Sequence, residues 1–217
     1  MHTVHISPLA AEPLTEYLLS EGCELRFIKP LSAVSEPIAL HPDIIMCKLG
    51  VCDDAAVFHG NPSALGVNYP EDVRYNACCT GKYFIHRLKY TDPELLRIAS
   101  ADFVPVDVPQ GYAKCSIVCV DENSIISYDD GIAKACRNAG MNVLHITSGH
   151  VLLPGYPVGF IGGCSGRIGN EIIFNGDLSA HPDFAAIRDF IESCGLSCRW
   201  FDTYPLTDIG SLIVEKK

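Results

Sequence analysis

The chain has 217 residues, and 48% of them are hydrophobic, which is enough to bury a substantial core. Its formal net charge is −10, and its 16 Lys and Arg residues form no basic run, so we expect no nucleic-acid partner. The first residues lack the basic and apolar segments of a signal peptide, and the longest uncharged stretch, 151–166, is interrupted by prolines and glycines, so we expect a cytoplasmic protein without a membrane partner.

The first third of the chain predicts two incomplete structural units. A strand at residues 3–6 is followed by a helix with leucines on one face, which Gly22 ends, and by a strand at residues 23–28. After a linker rich in Pro, Ser and Ala, residues 44–48 and 55–58 predict two more strands. A loop rich in Gly, Asn and Pro follows where a helix would complete this second unit.

The next three units are complete and share the order strand, strand, helix, strand. In the first of them Pro93 is the first residue of a helix that Thr91 or Asp92 caps, since proline lacks the N–H that has no partner at that position. The first strands of the two later units are predicted at residues 115–120 and 160–164.

The spacing of the units predicts a closed array. The turns between first and second strands, at Gly81, Asn123 and Gly169, are 42 and 46 residues apart, a range typical of propellers and solenoids. A C-terminal strand at residues 208–214 supplies the first strand that the N-terminal unit lacks, so the chain ends would pair. We predict one α/β domain, a five-bladed propeller; an open α/β sheet is the alternative. The units comprise residues 208–217 with 1–30, 39–70, 76–108, 114–146 and 160–202.

The eleven cysteines do not predict disulfides or a metal site. Their number is odd, no secretory signal precedes them, and no Cys-x-x-Cys pair occurs. We expect most of them to be small core residues in a reducing compartment, with no zinc and no cofactor.

Equivalent positions of the units carry polar residues. The residues just before the five predicted first strands are Asp43, Asn76, Lys114, Gly163 and Asp208, and all of them except Gly163 are polar or charged. Around a common axis these side chains would meet at one mouth of a central channel. Two carboxylates, an ammonium and an amide there would bind a small polar or zwitterionic ligand and perturb one another's pKa values. The alternative is a buried ion-pair network that stabilises the fold without doing chemistry.

Further candidates for the site stand close to these positions: His41, Tyr75, Tyr112, Cys115, Ser165 and Ser211. Cys115 follows Lys114, whose ammonium would lower the pKa of the thiol if the two groups lay close. Neighbouring residues of a strand point to opposite faces, which argues against that contact. Cys79 and Cys164 are alternative nucleophiles.

Five stretches together resemble a bacterial branch of the pentein, or guanidino-group-modifying-enzyme, fold: HPDIIMCKLG, YNACCTGKYFIHRLKYTDPELL, QGYAKCSIVCVDENSIIS, GFIGGCSGRIGNEIIFNGDLSAHPD and LTDIGSLI. They cover most of residues 40–214. That superfamily includes arginine deiminases, dimethylarginine hydrolases and amidinotransferases. The resemblance implies five strand-strand-helix-strand blades around a channel that holds the active site.

In the enzymes of that superfamily a cysteine near the C-terminal strand attacks the guanidinium carbon. A histidine acts as general base, and carboxylates hold the guanidinium by charge-assisted hydrogen bonds. The resemblance implies this acidic role for Asp43 or Asp208. At the position of the family's cysteine the sequence has residues 209–211, Ile-Gly-Ser, and residues 112–115 lack the family's histidine.

Two functions follow from these observations. The first is an enzyme, a deiminase-like or amidine-hydrolysing protein, in which Ser211 or Cys115 is the nucleophile and Asp43, Asn76, Lys114 and Asp208 bind a guanidino-like substrate. The second is a non-catalytic binding module, as in the translation initiation factor of this fold. The sequence leaves the substrate and the oligomeric state open.

Overall fold

Short strands and short helices alternate along residues 2–216, the part of the chain that the computed structural model describes. The strands in this range are β1 (His2–Ile6), β2 (Glu24–Phe27), β3 (Met46–Lys48), β4 (Val57–His59), β5 (Cys78–Cys79), β6 (Tyr83–His86), β7 (Val104–Asp107), β8 (Val118–Cys119), β9 (Ser124–Ser127), β10 (Asn142–His145), β11 (Ser165–Ile168), β12 (Glu171–Phe174), β13 (Ser197–Arg199) and β14 (Ile213–Lys216). The helices are α1 (Glu12–Ser20), α2 (Pro93–Asp102), α3 (Ala113–Ser116), α4 (Asp130–Asn138) and α5 (Phe184–Ser193).

The strands of the described chain form five small sheets rather than one continuous sheet. Four of the sheets have three strands, in the orders β14-β1-β2, β5-β6-β7, β8-β9-β10 and β11-β12-β13, and β3 pairs with β4 alone. In each three-stranded sheet the first pair is antiparallel and the second pair is parallel. A parallel pair needs a crossover connection, which α1, α2, α4 and α5 provide. The predicted mixed α/β class and the order strand, strand, helix, strand are confirmed.

The two ends of the chain pair in one sheet. Strands β1 and β14 run antiparallel, with His2 opposite Lys216 and Val4 opposite Val214. Val4 and Val214 are both buried in the core beneath this sheet. The C-terminal segment thus supplies the strand that the N-terminal unit lacks, although the strand is Ile213–Lys216 rather than the predicted 208–214.

The first strands of neighbouring sheets contact one another. Strand β3 lies against β14 and β5, and β11 lies against β8 and β14. All five of these strands border one cavity of about 50 Å³, called the inner cavity below. Its walls include a residue from each of them: Met46, Cys78, Val118, Gly166 and Ile213.

Capping and one apolar face explain why the helices form where they do. The carboxylate of Asp92 accepts the N–H groups of Glu94 and Leu95, and proline occupies the first turn of α2. This helix buries Leu95, which is fully inaccessible, and that burial contributes roughly 2 kcal/mol. None of the described helices is long and apolar enough to cross a membrane.

Residues 160–164 are not the predicted strand. They form turns, and the first strand of their sheet is β11, which begins at Ser165. A β-carbon at Gly162 would lie 2.3–2.6 Å from the carbonyl oxygens of Ile117, Lys114 and Cys115. The small residues of this segment therefore allow close backbone approach to α3, which a sequence pattern of small residues does not distinguish from a buried strand.

Residues 115–120 are also not one strand. Cys115 belongs to the helical turn α3, closed by a hydrogen bond from Ser116 N–H to the Tyr112 carbonyl oxygen, and only Val118–Cys119 is extended. Lys114 and Cys115 are therefore successive residues of a helical turn rather than alternating residues of a strand, and their side chains border different cavities.

Candidate functional site

The turns that lead into β3, β5, β8 and β14 carry eight of the nine predicted site residues, and Ser165 is the first residue of β11. Asp43 lies in a 3₁₀ turn, Pro42–Ile44, before β3, and Asn76 lies two residues before β5. Lys114 and Cys115 lie on α3, just before β8. The loop at residues 208–211 precedes β14 and contributes the last two members, Asp208 and Ser211.

Asn76 connects α3 to the turn that carries Asp43. Its side-chain oxygen accepts the backbone N–H groups of Lys114 and Cys115, at 2.9 and 3.2 Å. Its amide nitrogen donates to the Asp43 carbonyl oxygen at 3.2 Å and lies 3.1 Å from Cys115 Sγ. Asn76 is fully buried and uses both ends of its amide, so it positions the thiol relative to the carboxylate.

The Asp43 carboxylate is the centre of the buried polar cluster. Its Oδ2 accepts hydrogen bonds from the Ser211 hydroxyl at 2.7 Å and from the Cys115 thiol at 3.1 Å, while its Oδ1 is buried without a partner. Lys114 Nζ donates to Ser211 Oγ at 2.9 Å. Among the described residues no ion pair joins Lys114 directly to Asp43. The ammonium therefore reaches the carboxylate through a hydroxyl group.

Two glycines make room for the loop that carries Asp208. A β-carbon at Gly163 would lie 2.0 Å from Asp208 Oδ1, and one at Gly210 would lie 2.2 Å from the β-carbon of His41. Gly210 also has a φ of 75°, which glycine adopts without steric cost. These close approaches bring the Asp208 carboxylate and the His41 ring to the same place.

Asp208 is a buried carboxyl group held by backbone donors. Its Oδ2 accepts the N–H of Phe160 and its Oδ1 accepts the N–H of Gly210, both at 3.0 Å. Burial raises the pKa of Asp208 to about 6; the nearby His41 opposes this shift and Asp43 adds to it. The carboxyl group therefore ionises at a higher pH than an ordinary aspartate.

His41, Cys115 and Asp208 converge. A ring nitrogen of His41, Cys115 Sγ and a carboxylate oxygen of Asp208 all lie within 4.8 Å of one another, and all three residues are buried. His41 Nδ1 is 3.8 Å from Asp208 Oδ1 and has no hydrogen-bond partner. Burial raises the pKa of the Cys115 thiol well above its usual value, and the carboxylates of Asp43 and Asp208 raise it further. Without a ligand the thiol is thus protonated.

A cavity of about 240 Å³, called the outer cavity below, lies over this triad. His41, Cys115 and Asp208 form its polar end, and the rest of its wall is mostly apolar. Three of its wall residues are aromatic: Tyr112, Tyr156 and Phe160. Phe160 stacks on the ring of Tyr128 at an interplanar angle of 3°. The cavity therefore combines an aromatic wall with a buried thiol, imidazole and carboxyl group.

The structure brings together all nine residues proposed from the sequence, but they lie in three different surroundings. Four of them line the outer cavity: His41, Tyr112, Cys115 and Asp208. Three lie behind the thiol as its supports: Asp43, Asn76 and Ser211. Lys114 and Ser165 line the inner cavity instead, and both approach the Gly162 carbonyl oxygen, at 3.4 and 3.0 Å.

Sequence reasoning missed two kinds of feature in this site. Tyr156 and Phe160 belong to the uncharged stretch 151–166, whose aromatic residues were the available signal for a cavity wall. Asp72 had no signal, yet its Oδ2 accepts the Tyr112 hydroxyl at 2.5 Å. Burial also raises the pKa of Asp72.

The comparisons with known proteins add a family but no activity. No curated protein and no solved structure matches the chain. The Family of unknown function (DUF6873) matches residues 6–213, a range that includes every residue of the triad and its supports. The chain therefore belongs to this family, DUF6873.

Proposed function

We propose that the chain is a pentein whose outer cavity binds a small cationic compound with a guanidinium or amidinium group, and that Cys115 attacks the carbon of that group. Five small sheets with one shared strand order, and chain ends paired in a single sheet, support the proposed five-bladed fold. The fold alone does not argue for a reaction, so the proposal depends on the site.

The observation that carries the proposal is the convergence of Cys115, His41 and Asp208 at one end of a cavity large enough for a small molecule. A thiol, a nearby base and a carboxyl group are the parts that covalent hydrolysis of an amidine requires. Of the two nucleophiles that the sequence left open, Cys115 borders the outer cavity, whereas the Ser211 hydroxyl donates to Asp43 behind it.

The charges and the walls of the cavity favour a cation. Asp208 borders the cavity, and Asp43 Oδ1 is buried without a partner close behind Cys115. Carboxylates bind guanidinium groups through charge-assisted hydrogen bonds. The aromatic rings of Tyr112 and Phe160 in the cavity wall would add attraction for a cation that meets their faces.

A bound cation would also activate the thiol. The carboxylates that raise the pKa of Cys115 would be neutralised in part by the ligand, so the pKa would fall when the ligand binds. The thiol proton then passes to the free ring nitrogen of His41, and the sulfur forms a bond to the amidine carbon. The C–N bond breaks as the amine leaves with the proton from His41. Water then cleaves the C–S bond, which releases the hydrolysed product and restores the thiol.

The binding-module function remains the second candidate because one observation favours it. The Cys115 thiol is protonated and donates to Asp43, so the nucleophile of the free protein reacts slowly. In this case the same cavity binds a small cation without reaction.

Ligand binding is tested by thermal unfolding with arginine, agmatine, methylated arginines and other amino acids. A compound that binds the folded state raises the melting temperature by mass action. We expect Asp43→Asn and Asp208→Asn each to abolish the shift, and Asp189→Asn, an exposed carboxylate on α5, to keep it. If both buried variants retain the full shift, the ligand does not bind at this site.

Catalysis is tested separately with 2-chloroacetamidine, an alkylating analogue of the proposed substrate. We expect it to label Cys115 faster than the exposed Cys52, and a bound guanidino compound to protect Cys115. Product release from a compound that gives a shift, lost in Cys115→Ser, supports the enzyme. A thermal shift without product and without selective labelling supports the binding module.

A further inference from the structure

We infer that His41, Cys115 and Asp208 form a three-ligand site for a divalent ion of the zinc type, with a fourth position open to the outer cavity. The inference does not depend on the proposed reaction, since it concerns only what the three side chains coordinate. No Cys-x-x-Cys or His-rich spacing in the sequence points to it, because the ligands come from three distant turns.

The donor set and its spacing suit zinc. Imidazole nitrogen, thiolate sulfur and carboxylate oxygen are the three common protein ligands of Zn²⁺, with bonds of about 2.0–2.3 Å. Ligands at such bond lengths around a tetrahedral ion lie about 3–4 Å apart. The 3.8 Å between His41 Nδ1 and Asp208 Oδ1 falls in this range, and all three donor atoms lie within 4.8 Å.

A second observation points to an ion at the same place. His41 is 1% exposed, and its Nδ1 has no hydrogen-bond partner. A polar atom buried in this way loses its hydration without compensation. The 3.8 Å to the Asp208 carboxylate is too long for a hydrogen bond, but an ion between the two atoms would give His41 Nδ1 a partner.

The ligands are already held in position by other groups. Backbone N–H groups of Phe160 and Gly210 bind the Asp208 carboxylate, and the Asn76 amide contacts the Cys115 sulfur. Such outer contacts orient metal ligands and are typical of metal sites. The ion would displace the proton of the Cys115 thiol, and the thiolate together with the Asp208 carboxylate would balance the divalent charge.

Three protein ligands leave one position of a tetrahedral ion free. The cavity borders all three ligands, so that position faces the cavity, as in zinc sites that exchange a water or a small ligand. The metal ion and an electrophile would compete for the same sulfur. A bound ion therefore shields the Cys115 thiol from alkylation.

The site is tested by titrating the full-length protein with Co²⁺, which reports thiolate ligation in its absorption spectrum. We expect one ion per chain, a thiolate-to-cobalt charge-transfer band with the visible bands of tetrahedral cobalt, and displacement by Zn²⁺. Cys115→Ser should lose the charge-transfer band. His41→Ala and Asp208→Ala should each weaken binding by at least about tenfold.

Matched controls separate this site from adventitious binding to other thiols. Cys52→Ser and Cys164→Ser remove an exposed and a buried cysteine outside the triad and should leave the band unchanged. Circular dichroism of each variant checks that it is folded. A band that persists in Cys115→Ser, or that disappears in Cys52→Ser, overturns the assignment.

A measurement on the unaltered protein covers the case in which a variant does not fold. Zn²⁺ at one equivalent should slow iodoacetamide labelling of Cys115, located by mass spectrometry, and leave Cys52 labelling unchanged. Equal labelling of Cys115 with and without Zn²⁺ refutes the site. The thermal-shift and product assays above are run on metal-free protein, so their failure is distinct from a failure here.

Discussion

The Ser211 hydroxyl donates a 2.7 Å hydrogen bond to Asp43 Oδ2, across 168 residues of chain. The bond joins the loop before β14 to the turn before β3, so it links the C-terminal strand to the second sheet. Among the described residues Ser211 is also the one non-glycine residue with a positive φ, 68°. A non-glycine residue keeps this unfavourable backbone conformation only where the surrounding contacts hold it there.

Two substitutions of Ser211 should distinguish the stability that its hydrogen bond contributes from the stability that its backbone conformation costs. Ser211→Ala should destabilise the protein by about 2–3 kcal/mol, because it leaves the buried Asp43 carboxylate oxygen without its hydroxyl donor. The β-carbon at positive φ is common to serine and alanine. Ser211→Gly loses the same bond but tolerates the φ, so it should be about 1 kcal/mol more stable than the alanine variant. Urea unfolding at 25 °C measures both.

A serine outside the cluster provides the control for this pair. Ser148 is exposed, and Ser148→Ala should leave the urea midpoint within error of the wild type. Equal midpoints for the alanine and glycine variants of Ser211 would show that its backbone is not under strain.

Asp208→Asn should change how stability depends on pH. The folded-state pKa of about 6 lies above the usual value of about 3.9, so the native state favours the protonated carboxyl. The stability that it contributes is present below about pH 4 and is lost as pH rises through 6, a change of about 3 kcal/mol. The asparagine variant has no such loss. The difference in unfolding free energy between variant and wild type should therefore shift in favour of the variant by about this amount from pH 4 to pH 7.

The comparison of the two pH curves isolates this one group. Asparagine also loses one of the two backbone hydrogen bonds of the carboxylate, but that cost is the same at every pH. Asp189→Asn on the surface should give a curve parallel to the wild type. Parallel curves for wild type and Asp208→Asn would mean that folding does not raise the pKa of Asp208.

Asp43→Asn should make Cys115 more reactive. Asp43 accepts the thiol hydrogen bond and is the largest of the charges that raise the thiol pKa, so its neutralisation lowers that pKa. Below pH 9 the thiolate fraction grows about tenfold for each pKa unit lost, so the iodoacetamide rate at Cys115 should rise several-fold.

The control for this effect is a second buried carboxylate near the cavity. Asp72 accepts a hydrogen bond from Tyr112 and does not contact the thiol. Asp72→Asn should leave the Cys115 rate unchanged, with peptide mapping used to separate Cys115 from the other cysteines. An unchanged or slower rate in Asp43→Asn would argue that the carboxylate does not suppress the thiolate.

A circular permutant should fold, because the chain ends are neighbours. His2 lies opposite Lys216 in an antiparallel pair, so a short glycine linker can join the ends without strain. New ends between Ser148 and Gly149 fall in an exposed loop. We expect a far-ultraviolet spectrum like that of the wild type and a melting temperature within a few degrees of it. A permutant cut inside β12, whose Ile172–Phe174 are buried, should not fold.

Local signals in the sequence predicted most of the secondary structure. Asp92 with Pro93, and Asp129 before an amphipathic segment, marked the starts of α2 and α4. The errors fall at residues 160–164, 115–117 and 208–212, which were predicted as strand and are turns or irregular chain. Short runs of small apolar residues have no period that separates a strand from a turn, and Gly162 is small because three carbonyl groups lie against it.

The candidate site also has a part that the sequence predicts and a part that it does not. The repeat spacing predicted that Asp43, Asn76, Lys114 and Asp208 would lie close together, since equivalent turns of packed units meet at one end. It did not predict that Ser211 would face away from the outer cavity.

The sequence by itself determined the order of the elements, the pairing of the chain ends and the polar character of the turns, because these depend on local propensity and on a repeated spacing. Only the tertiary structure decided which groups face the cavity and brought the polar atoms of His41, Cys115 and Asp208 within 4.8 Å of one another. The physical reason is that all three stand in irregular turns or a single helical turn. Side-chain direction there follows from close packing at Gly163 and Gly210, not from any period along the chain.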